Sequence, residues 1–277
     1  MSEREGLIGD CLPEDGFRVP VLMYHHVEPA PLTPPPRHPE SYVTPAELAT
    51  QLDLLERRRL VPLTLAEAAE RALSRTLPPR PVVLTFDDGC RCFAEHALPE
   101  LSRRGVPATL FAVAGELGGS NRWDARGGER LEKLLDAEGL RRVAEGGVEV
   151  GCHGAHHADL SLPLAAEELA AETRGARAAL EEALGQPVET FCYPYGRLSE
   201  AARRAVREAG FSAAVAIADH PGASAGDPWA VPRQPVRPGE SGFELWLKAR
   251  GFYPAWSRLP RLGLLSALRR RRRKEAS

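Results

Sequence analysis

Two adjacent carboxylates at the end of an apolar segment are the clearest sign of chemistry in this sequence. Asp87 and Asp88 follow residues 81–86, which read Pro-Val-Val-Leu-Thr-Phe. Two charges packed this closely repel each other, and an apolar strand solvates them poorly, so a bound proton or metal ion would relieve the conflict. His153 and His157 stand four residues apart further along the chain. One carboxylate and two imidazoles are a donor set that suits a divalent ion.

The elements that must position these residues alternate between strands and helices. Strands are predicted over residues 19–23, 61–64, 82–86, 108–114, 148–152, 190–193 and 212–217. One helix is predicted to begin at Thr44, which starts a capping-box sequence. Further helices are predicted over residues 66–73, 94–104, 140–145, 165–184 and 200–209, and near residue 129. The alternation predicts an α/β fold with parallel strands inside and helices outside, and seven or eight strands favour a closed barrel over an open sheet.

A barrel of this kind makes a definite statement about where a site would form. Active sites of such barrels lie at the carboxyl ends of the strands. Five residues with possible chemical roles fall at or just after predicted strand ends: His25, Asp87, Asp88, His153 and Tyr195. We therefore expect residues that are distant in sequence to meet at one mouth of the barrel.

Charge is unevenly distributed along the 277 residues. The formal net charge is −2, but from Arg250 onwards eight Arg and one Lys stand against one Glu, so this end carries +8 and residues 1–249 carry −10. Residues 1–20 show no apolar leader, no apolar run reaches the roughly 18 residues of a spanning helix, and the five Cys have no disulfide-like spacing. We therefore expect a cytoplasmic protein with reduced thiols.

Three regions are predicted from these patterns: an N-terminal arm over residues 1–18, a catalytic barrel over 19–250 and an amphipathic, basic tail over 251–277. Aromatic and Leu residues beside a cluster of Arg suit a segment that lies on an anionic membrane surface, here the inner membrane face. A solvated end, or a helix packed on the barrel, is the alternative. Nucleic acid is disfavoured as a partner because the acidic body would repel phosphates.

Three motifs of the chain resemble those of a known family. Thr-Phe-Asp-Asp-Gly at 85–89, the pair His153 and His157, and Phe-Cys-Tyr-Pro-Tyr-Gly at 191–196 are similar to the main motifs of the polysaccharide deacetylases, the NodB-homology group of carbohydrate esterase family 4. Val-Leu-Met-Tyr-His at 21–25 resembles the start of many bacterial members. The resemblance covers most of the predicted barrel and implies a distorted, NodB-like (β/α) barrel that hydrolyses N-acetyl groups on amino sugars with the help of a metal.

The resemblance also implies roles for individual residues. Asp88, His153 and His157 would hold the metal, which is usually zinc, although Co²⁺, Ni²⁺ or Fe²⁺ would suit the same donors. Asp87 would act as the general base on the attacking water. The backbone N–H of Tyr195 would share the oxyanion with the metal.

The sequence departs from the family pattern in three places. Gly154 stands where a Ser or Thr usually supports the metal loop, which predicts weaker ordering of that loop. Cys192 stands where the family carries an Arg that pairs with the base, so we expect Asp87 to be oriented differently. The late Leu-x-x-His motif that supplies the general acid is absent, since no His follows His220. His25 is our candidate for that acid, and a buried structural histidine is the alternative.

Five further residues are predicted to bind substrate. Sugars stack on Trp faces and carboxylates bind hydroxyls, which favours Trp123 and Asp124 in the long loop after the fourth predicted strand. Tyr193 and Pro194 belong to the third motif, and Trp229 faintly resembles a later family motif at the wall of the pocket. Packing of the Trp rings, or a loop-shaping role for Pro194, is the alternative.

The function predicted from these residues is the metal-dependent hydrolysis of N-acetyl groups on an amino sugar, in a glycan or a lipid-linked glycan precursor. One alternative keeps the chemistry and changes the substrate to another small N-acyl amide. Another alternative is a catalytically weak carbohydrate-binding protein on a deacetylase-like barrel. The presence of Asp87 argues against pure binding, because a binding protein does not need a base.

Overall fold

Parallel strands close into a barrel in the computed structural model, which describes residues 19–125 and 127–251. Seven strands form the ring, and an eighth pairs with one of them as an extra strand. The predicted α/β barrel of seven or eight parallel strands is therefore confirmed. The predicted arm over 1–18, and residues 252–277 of the predicted tail, lie outside the described residues.

The strands in chain order are β1 (Val21–Tyr24), β2 (His26–Val27), β3 (Tyr42–Val43), β4 (Val61–Leu63), β5 (Pro81–Phe86), β6 (Thr109–Ala112), β7 (Glu149–Cys152), β8 (Thr190–Cys192), β9 (Ala213–Ile217) and β10 (Val231–Pro235). The ring runs β1–β10–β9–β8–β7–β6–β5 and closes because β5 also pairs with β1. β4 pairs with the first half of β5, and β2 and β3 form a small parallel sheet of their own.

Helices connect the strands. They are α1 (Pro45–Arg57), α2 (Leu65–Leu73), α3 (Leu98–Arg104), α4 (Arg122–Ala125), α5 (Ala137–Glu145), α6 (Ala166–Ala170), α7 (Ala176–Leu184), α8 (Glu200–Glu208) and α9 (Gly242–Lys248). A π-helical turn, Ala171–Gly175, joins α6 to α7, so that these two form one long helical segment. None of the described helices is both long and apolar enough to span a bilayer.

The predicted start of α1 is confirmed in atomic detail. The Thr44 hydroxyl accepts a hydrogen bond from the Glu47 N–H at 3.2 Å, and the Glu47 carboxylate accepts one from the Thr44 N–H at 2.8 Å. Two otherwise unpaired N–H groups at the helix start are therefore satisfied reciprocally.

The amino ends of the strands are closed by α2. Its Leu65, Ala68 and Ala69 pack in one apolar cluster with residues of β5 and β9. Glu149 at the start of β7 accepts hydrogen bonds from the Ala66 N–H and from the hydroxyl of Thr109. Because this end is filled with side chains, the opposite end is where a ligand has room to bind.

Two sequence-based expectations are corrected by the structure. The helix expected near residue 129 is wrong: residues 127–128 form a turn, and Lys133 pairs with Ser120 in an isolated antiparallel bridge. Strand β10 is absent from the predicted strands, and its Pro232 and Pro235 are atypical of a central strand. It nevertheless lies between β9 and β1, where it completes the ring.

Candidate active site

The carboxyl ends of the ring strands surround one cavity of about 230 Å³. Its lining includes all five residues that the strand ends were expected to bring together: His25, Asp87, Asp88, His153 and Tyr195. His157 and Arg233 also line it. The convergence follows from the parallel barrel, which directs every loop after a strand towards the same mouth.

The three residues proposed as metal ligands lie within reach of one ion. The Nε2 atoms of His153 and His157 are each 3.5 Å from Oδ1 of Asp88. A tetrahedral zinc ion would space such nitrogen and oxygen donors about 3.3 Å apart. All three side chains are buried, and their donor atoms cluster closely enough to hold a metal. The donors present therefore fit a divalent cation.

Hydrogen bonding orients the imidazole of His153. Its Nδ1 lies 2.8 Å from the backbone carbonyl oxygen of Cys192, so Nδ1 carries the proton and donates it to this acceptor. The lone pair is then on Nε2, which is the atom that faces Asp88. A backbone carbonyl bonded to the second nitrogen is the arrangement that sets the tautomer of ligating histidines.

Aromatic neighbours hold the ring of His157. Trp123 stacks on it with ring centroids 4.6 Å apart, and Tyr195 meets it edge-on at 4.6 Å. Burial, together with the nearby imidazole of His153, lowers the pKa of His157 to about 3. The ring is therefore neutral at physiological pH, which is the state that can donate a lone pair to a metal.

Asp87 is held by a different partner from its neighbour. Arg233 on β10 donates two hydrogen bonds to its carboxylate, at 2.6 Å to Oδ1 and 2.8 Å to Oδ2. Burial opposes ionisation, but the guanidinium outweighs it and holds the pKa of Asp87 below its usual range. The two adjacent carboxylates thus have separate partners: Asp87 pairs with a cation of the protein, and Asp88 lies against two imidazoles with which it could hold a metal ion.

Arg233 is the functional residue that the sequence reasoning missed. The family's Arg is replaced by Cys192, and Arg233 reaches the same base from the strand on the far side of β9. Its Nη2 also contacts the Cys192 sulfur at 3.1 Å. The available signal was a single charged residue within the otherwise uncharged residues 228–236.

His25 lies beside the base. Its Nε2 is 3.7 Å from Oδ2 of Asp87, and its side chain is 29% exposed to the cavity. Burial lowers the pKa of His25 despite the nearby charges of Asp87 and Asp88. The imidazole is therefore neutral at physiological pH, and it lines the cavity together with Asp87.

A carboxylate supports the metal loop where the family uses a hydroxyl. Gly154 has a φ of +80°, and a Cβ there would lie 2.6 Å from Oε2 of Glu172. This oxygen instead accepts hydrogen bonds from the N–H groups of Ala155 at 2.9 Å and His156 at 3.2 Å. Glu172 is buried in the π-helical turn between α6 and α7. The loop between the two histidines therefore has a carboxylate support in place of the missing hydroxyl.

Three residues of the site adopt left-handed backbone conformations. Asp88 has a φ of 73°, His157 of 56° and Tyr195 of 58°. Each non-glycine residue in this region costs of the order of 1 kcal/mol, and such strain concentrates at functional sites. Tyr195 is 44% exposed and projects into the mouth of the cavity.

The outer mouth carries polar groups from two loops. Asp124 lines it, and burial next to Asp88 raises the pKa of this carboxyl to about 6. Glu129 lies close to Asp124, whose backbone carbonyl accepts a hydrogen bond from the Glu129 N–H at 3.4 Å. The Glu129 carboxylate accepts hydrogen bonds from the backbone N–H groups of Arg37 at 3.1 Å and His38 at 2.9 Å. Asp124 therefore lies at the mouth of the cavity, and Trp123 packs against His157.

Three of the predicted substrate-binding residues lie behind the cavity. Tyr193 is fully buried and donates its hydroxyl proton to the backbone carbonyl of Trp229 at 2.8 Å. Trp229 is buried, and its indole N–H donates to the carbonyl of Phe211 at 2.9 Å. Pro194 is buried at the start of the Tyr195 turn. These residues support the wall and are not among those that line the cavity, so their substrate-binding role stays a prediction.

The chain matches the protein-family model "Polysaccharide deacetylase" over residues 74–214. YxkH of Bacillus subtilis, whose name refers to a polysaccharide deacetylase, is 25% identical over 232 residues, which cover 83% of this chain and 75% of that protein. IcaB from Ammonifex degensii is 27% identical, with a TM-score of 0.67, and the match covers 85% of this chain and 97% of that one. The Streptococcus pyogenes deacetylase PplD, solved in complex with acetate, has a TM-score of 0.70 at 20% identity over 84% of this chain and 99% of that one.

Removal of the Arg233 guanidinium should destabilise the protein in a pH-dependent way. Breaking a buried ion pair typically costs about 3–5 kcal/mol, so Arg233→Gln should lower the melting temperature clearly at pH 7. The pKa of Asp87 is lower in the folded than in the unfolded protein. The ion pair therefore stabilises the fold fully at pH values above the unfolded-state pKa, and this stabilisation is lost as the pH falls through the folded-state pKa. The deficit of the variant should therefore shrink on acidification.

Thermal denaturation of Arg233→Gln, Arg233→Lys and the wild type between pH 3 and pH 8 checks this. The melting temperature of Arg233→Lys should lie between those of the wild type and Arg233→Gln, because Lys keeps the charge and loses the bidentate hydrogen bond to Asp87. Arg142→Gln, which breaks an exposed pair with Glu138, serves as the control and should cost less than about 1 kcal/mol. A deficit that stays the same at every pH would contradict the assignment.

Glu172→Ala should weaken metal binding without removing a ligand. Loss of the support for the Ala155 and His156 N–H groups frees the loop between the ligands, and losses of outer partners typically reduce metal affinity about 10–100-fold. Competition with a chelator measures the affinity. Glu182→Ala removes an exposed carboxylate from the same helical segment and should leave the metal affinity unchanged. Equal affinities for the two variants would rule out the supporting role.

Proposed function

The chain belongs to the polysaccharide deacetylase family, hydrolases that act on amide bonds, and on this premise we propose what it hydrolyses and how. The proposed reaction is the removal of N-acetyl groups from an amino sugar in a glycan or a lipid-linked glycan precursor. We propose that the reaction depends on a divalent cation, preferably Zn²⁺, held by Asp88, His153 and His157.

One observation supports this proposal above the others. Asp87 and Asp88 are adjacent, yet only Asp88 lies against the two imidazoles, while Asp87 has its own cationic partner and borders the same cavity. A site that only bound a metal would not need a second, separately charged carboxylate beside the ligand carboxylate. A metal-assisted hydrolase needs this arrangement, because the base must stay free of the metal.

The bound cation would supply Lewis acidity, which lowers the pKa of water and polarises the acetamide carbonyl. Asp87 would take the proton of the attacking water. Arg233 keeps Asp87 ionised through the neutral range and fixes the plane of the carboxylate with two hydrogen bonds, so the base is oriented before substrate arrives.

His25 would return a proton to the leaving amine. Its neutral ring lies 3.7 Å from Oδ2 of Asp87, close enough for a small rotation to form a hydrogen bond. The proton that Asp87 collects would pass to His25, which borders the cavity and would donate it to the nitrogen of the sugar. The backbone N–H of Tyr195 would bind the oxyanion, and the exposed Tyr195 ring would contact the sugar.

Acetate release from N-acetylglucosamine oligomers tests the proposed reaction. The wild-type chain should release acetate, a chelator should abolish the release, and added Zn²⁺ should restore it. Asp87→Asn keeps the size of the side chain and should lower turnover about 10²–10⁴-fold with metal content unchanged. Binding of oligomers without release would favour a carbohydrate-binding protein, and release from only simple N-acyl amides would favour a different amidohydrolase.

His25→Ala should lower turnover while the metal content stays as in the wild type. Turnover by this variant should recover partly with added imidazole, because a free imidazole can carry the same proton. Elemental analysis and acetate release on one preparation give both quantities. Loss of bound metal in His25→Ala would assign His25 a different role.

We also propose that the protein works at the cytoplasmic face of a membrane through its basic end. Residues 269–273 are five consecutive Arg, and each basic residue near an anionic bilayer contributes about 1 kcal/mol. Replacing the five by Gln in the full chain should weaken binding to phosphatidylglycerol vesicles by about 10-fold or more. Vesicles of neutral lipid are the control, and equal sedimentation of both chains would refute the proposal.

A further inference from the structure

A second group of metal-ligating side chains lies directly beside the proposed catalytic site. His26, Asp88 and Cys90 each offer a donor atom, and these atoms lie within 4.8 Å of one another. Cys92 adds a sulfur 3.9 Å from Nδ1 of His26. Asp88 therefore belongs to two groups, this one and the group that it forms with His153 and His157.

The donors of the second group are of a different chemical kind from those of the first. Thiolates select zinc and other thiophilic ions, whereas two imidazoles and a carboxylate suit a wide range of divalent ions. A tetrahedral zinc ion spaces a sulfur and a nitrogen ligand about 3.6 Å apart and a nitrogen and an oxygen ligand about 3.3 Å apart. The observed separations, 3.9 Å between Cys92 and His26 and up to 4.8 Å within the group of three, therefore need to close by about 1.5 Å at most. Side-chain rotation alone can supply such a movement.

The group is buried and its members are held from several directions. Cys90 is 1% exposed, and His26 and Cys92 are 6% exposed. The His26 ring stacks on Tyr42, its neighbour across the small β2–β3 sheet, with centroids 4.2 Å apart. Cys90 is fixed by an isolated bridge to Leu134. These contacts arrange the donors before any ion binds, which is what distinguishes a built site from a chance cluster.

Packing alone does not account for this composition. The sulfur atoms share a small apolar cluster with Leu134 and the partly buried Trp123, where Ala or Val would fill space without a polar atom. Burying His26 and a carboxylate next to two thiols costs free energy unless their polar atoms are paired. A cation would satisfy all of them, and two thiolates would neutralise its double charge.

We propose that His26, Asp88 and Cys90, with Cys92 as a fourth donor, form a second metal site for a thiophilic ion such as Zn²⁺. Both imidazoles of the first site lie 3.5 Å from Oδ1 of Asp88, which leaves Oδ2 for the second ion. Ions that share a carboxylate in this way lie about 3.5–4 Å apart. The second site goes beyond the proposed deacetylation and does not require it.

Titration of the reduced, metal-free full chain with Co²⁺ tests the proposal. The wild type should bind two equivalents and develop a thiolate-to-cobalt charge-transfer absorption, which donors of nitrogen and oxygen alone do not produce. The double variant Cys90→Ser/Cys92→Ser should lose this absorption and one equivalent, because it removes both proposed thiolate donors. Cys192→Ala is the matched control, because Cys192 belongs to another possible metal-binding group, with Asp87 and His153. This variant should keep both equivalents of cobalt and the thiolate absorption.

The titration measures metal binding without any assay of hydrolysis. A failure of the proposed deacetylation would therefore leave the test of the second metal site unaffected. A wild type that binds a single equivalent with no thiolate absorption overturns the second site. Absorption that persists in Cys90→Ser/Cys92→Ser and disappears in Cys192→Ala overturns it as well. If Cys90→Ser/Cys92→Ser does not fold, the double variant His153→Ala/His157→Ala decides instead, because it should lose one equivalent and retain the absorption.

Discussion

Two neighbouring carboxylates must both stay ionised in a buried cavity, and the rest of the site is arranged around this constraint. Asp87 and Asp88 follow a strand with no other charge, and each is nearly inaccessible to solvent. Left alone, one of them would take up a proton and lose its use as a ligand or base. The fold gives each carboxylate its own partners: a guanidinium keeps Asp87 ionised, and two imidazoles present nitrogen atoms that would hold a cation together with Asp88.

The same constraint explains why the departures from the family pattern leave the site intact. The replacement of an Arg by Cys192 would leave the base unpaired if no other cation could reach it, and Arg233 on β10 reaches it from another strand. Gly154 lacks a hydroxyl, and the Glu172 carboxylate binds the same loop instead. In both cases the interaction is present, but a residue at a different position in the sequence makes it.

The barrel makes such relocation possible. Every ring strand directs its carboxyl end to one mouth, so a side chain from β10 and one from β8 can serve the same base. At the amino ends of the strands, α2 and the hydrogen bonds of Glu149 stabilise the barrel. The opposite end can therefore contain residues with strained backbone conformations. Left-handed backbone at Asp88, His157 and Tyr195 is tolerated because the surrounding strands determine where these residues stand.

The sequence by itself determined the fold class, the end of the barrel that carries the site, and the identity of the adjacent carboxylates and paired histidines. These follow from local information: strand and helix periodicity, capping residues, and donor atoms at fixed spacing. Even so, it placed Tyr193 and Trp229 at the substrate, whereas both are packed in the wall. Only the tertiary structure decided which cation pairs with Asp87 and which carboxylate holds the metal loop. Arg233 is 146 residues from Asp87, in a strand with two prolines, and no local pattern encodes a contact across the closure of a barrel.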